Sequence, residues 1–354
     1  MTGALDFVVL TGFLGSGKTT LLRDFLGRPD AADTAVIVNE AGEIGLDGMI
    51  LRETGGDVPM TMLANGCVCC QMTSDLARTV EALLAAERPE ASGPLRRIVL
   101  ETSGLSKPGP VLRQLASLAG LPLRVAVLAT YDALRGPETT AFEEAAAQWA
   151  AAHRIVLTKL DAASPERRAQ ARAEIAGLNP LAETVADPDR AAAVAAAFAP
   201  LSGAGLDPAL LAPEPAGAHP RVAVWLARPA GPLPYDDLAA WLDNLAGRLG
   251  ERLLRLKGLV RVVESGRPLL VESVGTLFSP PRPFGRPGED PAPFVVVIAR
   301  DLAAGELEGV APPGLFRFSP RVPDSPFARP APGGLPRAEA VLMPMARDAG
   351  GSGR

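Results

Sequence analysis

The first two hundred residues alternate apolar runs of strand length with stretches of helical period. Candidate strands fall at 7–11, 35–38, 98–101, 125–130 and 155–159, and candidate helices at 19–26, 74–86, 109–118, 142–152 and 166–176. The strand runs are β-branched and apolar at consecutive positions, the pattern of a sheet covered by helices on both faces. Repeated strand-then-helix order predicts a doubly wound α/β domain around a mostly parallel sheet. A Gly/Pro/Ala-rich stretch then predicts a linker. Beyond it come a strand at 221–227, a helix at 235–249 and strands near 253–263, 269–277 and 294–299, a smaller α+β module. Nine prolines fall in the last 44 residues, which predicts an extended or disordered tail. The expected division is a domain at 1–200, a linker at 201–220, a C-terminal α+β domain at 221–310 and a tail at 311–354. No internal repeat is present, and the alanine-rich helices require nothing beyond helix propensity.

Composition narrows the class. The 354 residues suit two domains, and 47% hydrophobic with 21% charged residues is a globular balance. A net charge of −5 argues against a general nucleic-acid or anionic-membrane partner. No apolar run approaches the ~18 residues of a spanning helix, and no basic leader precedes the first strand, so a cytoplasmic protein is expected. Four lysines (Lys18, Lys107, Lys159 and Lys257) stand among 35 basic residues, the remainder arginine. A chain with that bias keeps lysine where a planar guanidinium does not fit.

Two of the lysines fall in recognisable chemistry. Gly12-Phe13-Leu14-Gly15-Ser16-Gly17-Lys18-Thr19 fits the P-loop pattern, with a strand before it and a helix, beginning Thr19-Thr20, after it. Glycines let the backbone curl around phosphates, the Lys18 ammonium suits the β and γ phosphates, and the Thr19 hydroxyl suits Mg²⁺. A glycine-rich turn that binds nothing is the alternative. Thr158-Lys159-Leu160-Asp161 closes a later strand. There the Asp161 carboxylate can accept the N1–H and 2-amino group of guanine, donors that adenine does not present, while the Lys159 stem lies along the base.

Glu101 ends the third candidate strand, where P-loop proteins place the acid that holds Mg²⁺, and Gly104 can offer its N–H to the γ-phosphate. Lys18, Glu101 and Gly104 are therefore the candidate catalytic set. Glu40 and Glu43 lie in a glycine-dotted loop as candidate metal ligands or plain solvated acids, and Lys107 is a switch contact or a solvated lysine. Cys67, Cys69 and Cys70 are the chain's three cysteines, too close together for a disulfide framework. Three thiolates suit a borderline divalent cation, zinc first, in an open site from which it can leave. A redox pair or inert thiols are the alternatives. Neither His153, expected at the far sheet edge, nor His219, in the linker, offers a ready fourth ligand.

These segments together resemble the CobW-type metallochaperone GTPases, relatives of the nickel-insertion GTPases. The resemblance rests on residues 12–22 (GFLGSGKTTLL), 36–47 (VIVNEAGEIGLD), 65–70 (NGCVCC), 101–111 (ETSGLSKPGPV) and 158–161 (TKLD). It continues through 178–183 (LNPLAE), 255–262 (RLKGLVRV) and 271–278 (VESVGTLF). It implies a GTPase domain, a smaller C-terminal domain and a C-x-C-C site for zinc, cobalt or a similar cation, and it implies that Asn179 belongs to a segment closing over the base. Lys257 is typical of its motif, with no role derivable from the residues. The chain departs from the family at Thr158 (Asn in most GTPases), at Ala41 (usually Phe), and at Ser106-Lys107 (usually Ala-Asp), and it has no histidine-rich segment.

The expected function is a slow, Mg²⁺-dependent GTPase that couples GTP or GDP binding to capture of a divalent metal and delivery to a client metalloprotein. The rivals are a regulatory GTPase whose cysteines sense redox state and a small-molecule kinase preferring ATP. Client, metal identity and oligomeric state stay open.

Overall fold

The computed structural model describes residues 5–39, 60–62, 72–88, 93–115, 118, 120–201, 219, 221–285, 291–303 and 305–321. β1 (Leu5–Gly12) leads into α1 (Lys18–Leu26), β2 (Thr34–Asn39), β3 (Met60–Met62), α2 (Met72–Ala85), β4 (Arg97–Thr102) and α3 (Pro108–Leu115). β5 (Leu123–Asp132), the single turn α4 (Gly136–Thr139), α5 (Glu143–Ala151), β6 (Arg154–Thr158), α6 (Pro165–Leu178), β7 (Glu183–Val185) and α7 (Arg190–Phe198) follow. The seven strands form one sheet in the order β3-β2-β4-β1-β5-β6-β7, with every neighbouring pair parallel. β1 lies in the middle, flanked by β4 and β5, so connections leave it on both sides. The crevice at such a strand's carboxyl end is where open α/β sheets bind ligands.

The five strands read from the sequence are all present. β3 and β7 were not read, since three residues each give no period to detect, and β7 carries Glu183, whose carboxylate pairs with Arg154. α7 was also missed because its run of alanines shows no amphipathic stripe. Asp189 starts it, accepting a hydrogen bond from the Ala192 N–H at 2.7 Å.

The remaining elements are β8 (Val222–Pro229), α8 (Tyr235–Leu249), β9 (Leu253–Val260), β10 (Leu269–Val274), β11 (Leu277–Phe278), β12 (Arg282–Pro283), β13 (Phe294–Arg300) and β14 (Phe316–Pro320). They build an antiparallel sheet in the order β11-β10-β9-β13-β8-β14, with β12 beside β10. Within 311–354, expected as an extended or disordered tail, the described residues reach Arg321 and include the extended strand β14. Phe316 packs on Trp241 with ring centroids 4.1 Å apart, and the Arg321 guanidinium donates to the Ala176 carbonyl at 3.0 Å. Proline is tolerated there because β14 is an edge strand, where Pro320 costs no ladder bond at the sheet's centre.

The second sheet is buried on both faces. Ala223, Trp225 and Ala227 of β8, with Val295, Val297 and Ala299 of β13, pack under α8. The alternate residues Val222, Val224, Leu226, Phe294, Val296 and Ile298 join the core of the first domain. Period-two alternation thus faces an apolar core on either side. The Arg113–Glu251 ion pair (2.7 Å) and a hydrogen bond from Arg255 to the Ala151 carbonyl (3.2 Å) cross the same interface. Among the described residues no helix is long and apolar enough to cross a membrane.

Close approach of β9 and β13 requires Gly258, where a Cβ would lie 2.3 Å from the Val295 Cα. Gly258→Ala is expected to destabilise the chain by about 2–3 kcal/mol, read as a lower urea midpoint.

Both histidines are neutral in the fold. His153 Nδ1 accepts the Val127 N–H at 3.0 Å, and burial, then Arg255 and Lys257, hold its pKa well below 6.5. His219 Nδ1 accepts the N–H groups of Arg221 and Val222, so its Nε2 donates to the Thr140 carbonyl at 2.8 Å, and burial again lowers the pKa. In the unfolded chain both protonate near 6.5. Their contribution is therefore intact above that pH and is lost as pH falls below it, by up to about 1 kcal/mol per pH unit for each ring. Urea midpoints should drop from pH 7 to pH 5.5, and His153→Gln should flatten part of that slope.

Candidate functional site

The turn after β1 is built for close approach. Gly12 ends the strand at φ 144°, and a Cβ there would lie 2.1 Å from Thr130 Oγ1. Gly17 caps α1 in the left-handed region at φ 92°, so the first turn of the helix opens directly onto the loop. Ser16 Oγ is 2.6 Å from Thr130 Oγ1, which ties the loop to β5. Lys18 is buried, and its ammonium donates to the carbonyls of Gly12 (2.8 Å) and Phe13 (3.4 Å). A phosphate oxygen is a stronger acceptor than either carbonyl, so an incoming anion can draw the ammonium over. The Thr19 hydroxyl donates to Glu101 Oε1 at 2.7 Å. A hydroxyl and a buried carboxylate meeting at the mouth of the loop are hard-oxygen donors of the kind Mg²⁺ takes.

Glu101 reaches that point because β4 lies beside β1, with Leu10 opposite Glu101. The loop after β4 then presses on the phosphate turn: a Cβ at Gly104 would lie 2.8 Å from the Leu14 backbone nitrogen. β5 and β6 bring the third element. Thr158 Oγ1 lies 2.8 Å from the Ser16 carbonyl and 3.2 Å from that of Tyr131, and its methyl would stand 3.5 Å from a Cβ on Gly17. The departure from Asn at 158 thus leaves a hydroxyl within reach of both the phosphate turn and β5. Lys159 sits in the left-handed region at φ 57°, its ammonium 2.5 Å from Asp132 Oδ2. Asp132 also accepts the N–H groups of Leu134 (2.9 Å) and Arg135 (3.2 Å), which fixes the carboxylate that fixes the lysine.

A cavity of about 350 Å³ lies beside these residues, lined among others by Thr20, Asp24, Thr158, Lys159, Asp161 and Arg190. Three polar groups there were not read from the sequence: Asp24, Asp187 and Arg190. Arg190 donates to Asp24, and that hydrogen bond, with Asp161 acting at longer range, raises its pKa. The available signal was the acidic cap at the start of α7, invisible until that helix is recognised. Asn179 is not among the residues that line this cavity. It caps α6 and is buried, its amide donating to the carbonyls of Trp149 (2.7 Å), Ala150 (3.1 Å) and Ala152 (2.9 Å) while Oδ1 accepts the Leu181 N–H. Those bonds hold Asn179 at the end of α5, apart from the residues that line the cavity. Glu40, Glu43, Cys67, Cys69 and Cys70 lie outside the described residues.

Two family profiles match in succession. The CobW/HypB/UreG nucleotide-binding domain matches residues 6–186, and the cobalamin synthesis protein cobW C-terminal domain matches 222–309. The chain belongs to the CobW family of P-loop GTPases. Among its relatives, the zinc chaperone YjiA of Escherichia coli is 28% identical over 310 residues, 84% of this chain and 95% of that one. The zinc chaperone CobW of Pseudomonas aeruginosa is 32% identical over 218 residues, 52% of this chain; the match spans only 57% of that relative. The crystal structure of Zn(II)-bound YjiA GTPase from E. coli superposes with a TM-score of 0.60 at 22% identity, covering 87% of this chain and 98% of that one.

The two remaining lysines of this CobW-family chain lie at or near the domain interface. Lys107, where the sequence departs from the family, pairs with Glu143 of α5. Lys257 stands opposite Glu272 in the β9–β10 ladder, and burial, then Arg255, lowers its pKa. Burial likewise pushes Arg255 down to about 10.

Gly12→Ala tests the cradle directly. The added methyl collides with Thr130 at a strained φ, so nucleotide affinity should fall at least about tenfold while the circular dichroism spectrum keeps its α/β shape.

Proposed function

We propose that the chain binds GTP, hydrolyses it slowly and couples the nucleotide state to capture and delivery of a divalent metal, with zinc as the first cargo. The observation that carries this reading is the Thr19–Glu101 hydrogen bond at 2.7 Å, next to the buried Lys18 and the cavity that Asp161 lines. Gly15, Ser16 and Gly17 would turn backbone N–H groups to the phosphates, with Lys18 on the β and γ oxygens. Thr19 and Glu101 would hold Mg²⁺, which neutralises charge on those oxygens when bound. Gly104 would give its N–H to the γ-phosphate. At the base, Asp161 accepts two guanine donors and Lys159, pinned by Asp132, lines the ring's face. Unaided hydrolysis in such sites runs as slowly as ~10⁻⁴ s⁻¹, which suits a timer completed by a client protein.

The metal would be held by the thiolates of Cys67, Cys69 and Cys70, which lie in the sequence between Glu40 and the helix α2. Contacts to a γ-phosphate order loops and their loss releases them, and this supplies the coupling. By linkage, metal tightens GTP binding by the same factor as GTP tightens metal. The relatives named as zinc chaperones support the cargo.

Zinc titration of the purified chain with a GTP analogue, with GDP and without nucleotide is the deciding experiment. Tighter zinc with the analogue is expected; equal affinity in all three would falsify the coupling. Mass spectrometry showing a reversible Cys69–Cys70 bond and no bound metal would instead support a redox sensor. Asp161→Asn should weaken GTP by about 100-fold, because the amide oxygen still accepts N1–H but the new NH2 faces the guanine 2-amino group, and should confer binding of a xanthine nucleotide, whose 2-oxo group accepts from that NH2.

A further inference from the structure

The loop after β4 is gripped at both ends by one helix. Gln148 of α5 is fully buried, and its amide nitrogen donates to the Gly104 carbonyl at 3.0 Å and the Ser106 carbonyl at 2.9 Å. Its Oε1 is buried and makes no hydrogen bond with the described residues. An apolar side chain of similar length would fill the same space without burying that oxygen. The position therefore makes sense for its two donors. Near the other end of the loop, Lys107 pairs with Glu143, which lies on the same helix as Gln148. Glu143 is also shared with Arg221, just before β8, at 3.1 Å and with Arg300 at the end of β13. Arg221 continues to Asp301 at 2.6 Å. The first turn of α5 is thus tied to the second sheet, while its middle holds the loop that rests on Leu14 of the phosphate turn.

We propose that Gln148 is a positioning residue for the γ-phosphate contact, with Glu143 making the C-terminal domain part of the same anchor. Gln148 fixes the peptide planes that follow Gly104 and Ser106, and the Ser106 N–H donates to the Ser103 carbonyl at 3.0 Å, in the plane that carries the Gly104 N–H; held from both sides, that N–H is aimed at the third phosphate. The residue touches neither nucleotide nor metal, and acts through Gly104. This rests on the GTP reading above. It goes further by assigning discrimination between GTP and GDP to a buried amide outside every nucleotide motif, and by giving the family-divergent Lys107 a part in it.

The loop would meet the nucleotide at the γ-phosphate alone, and its contact on Leu14 is made by the Gly104 backbone, which both variants keep, so a loosened loop should spare GDP. That distinguishes positioning from general damage. The test uses the full chain as wild type, Gln148→Met and Lys107→Met, titrated with GDP and a non-hydrolysable GTP analogue and assayed for steady-state hydrolysis. Gln148→Met should keep GDP affinity within about twofold while analogue affinity and kcat each fall about tenfold. Lys107→Met should shift the same two quantities about threefold in the same direction. Folded variants that keep the wild-type ratio of analogue to GDP affinity overturn the proposal, as does a parallel loss of both ligands. Should Gln148→Met not fold, Lys107→Met decides alone, since that side chain is partly exposed and its removal leaves the core intact. A wild type that binds both nucleotides but no metal refutes the metal-delivery reading and leaves this test standing; a wild type that binds neither refutes both.

Discussion

A helix buried on every side holds this molecule together. All seven residues from Ala145 to Ala151 in α5 are buried, because the helix runs between the parallel sheet of the first domain and the antiparallel sheet of the second. Small side chains let both layers come close, and the few large ones are specific anchors. The Trp149 indole donates to the Thr130 carbonyl, Gln148 to the loop after β4, and Asn179 reaches over from α6 to cap the carbonyl end. A run of alanines that looked like plain helix propensity is the condition for two domains sharing one core.

The candidate site depends on that arrangement only at its edge. Its centre is fixed by strand order: β1 delivers the phosphate turn, β4 beside it delivers Glu101, and β5 and β6 deliver Asp132, Thr158 and Lys159. Each polar group there is held by another. Thr130 holds Ser16, Thr158 reaches the Ser16 carbonyl, and Asp132 holds Lys159. A site stiffened in this way loses little further entropy when a ligand arrives.

The bias toward arginine has a structural meaning. Arg154 is buried and serves Glu183 together with the carbonyls of Ala197, Ala199 and Pro200 through several of its donors, which an ammonium with three donors does less well. Arg255 and Arg321 each reach a carbonyl of the first domain from the second. Lysine is kept at two positions of the candidate nucleotide site and two at or near the interface between the sheets. The rarity of lysine located Lys18 and Lys159, but it assigned nothing to Lys107 or Lys257, because Glu143, which pairs with Lys107, and Glu272, which stands opposite Lys257, are 36 and 15 residues away and neither spacing follows a helical repeat.

Local chemistry made the fold class, the main helices and strands, the cradle and Glu101 legible in the sequence. A glycine run between an apolar strand and a helix is written in consecutive residues, and an acid closing an apolar strand stands out against it. What fell outside that range depends on contact between distant segments. β3, β7, α7 and β14 are too short, too uniform or too proline-flanked to show a period, and their sheets or capping groups stabilise them. Asn179 lies in a family motif, yet the packing of α6 on α5 commits its amide to helix-end carbonyls. Gln148 lies in no motif at all. Consecutive residues determined which chemistry this chain carries; only the packing of two sheets around α5 decided which loop that chemistry answers to, because a buried amide takes its meaning from the carbonyls that the tertiary fold places against it.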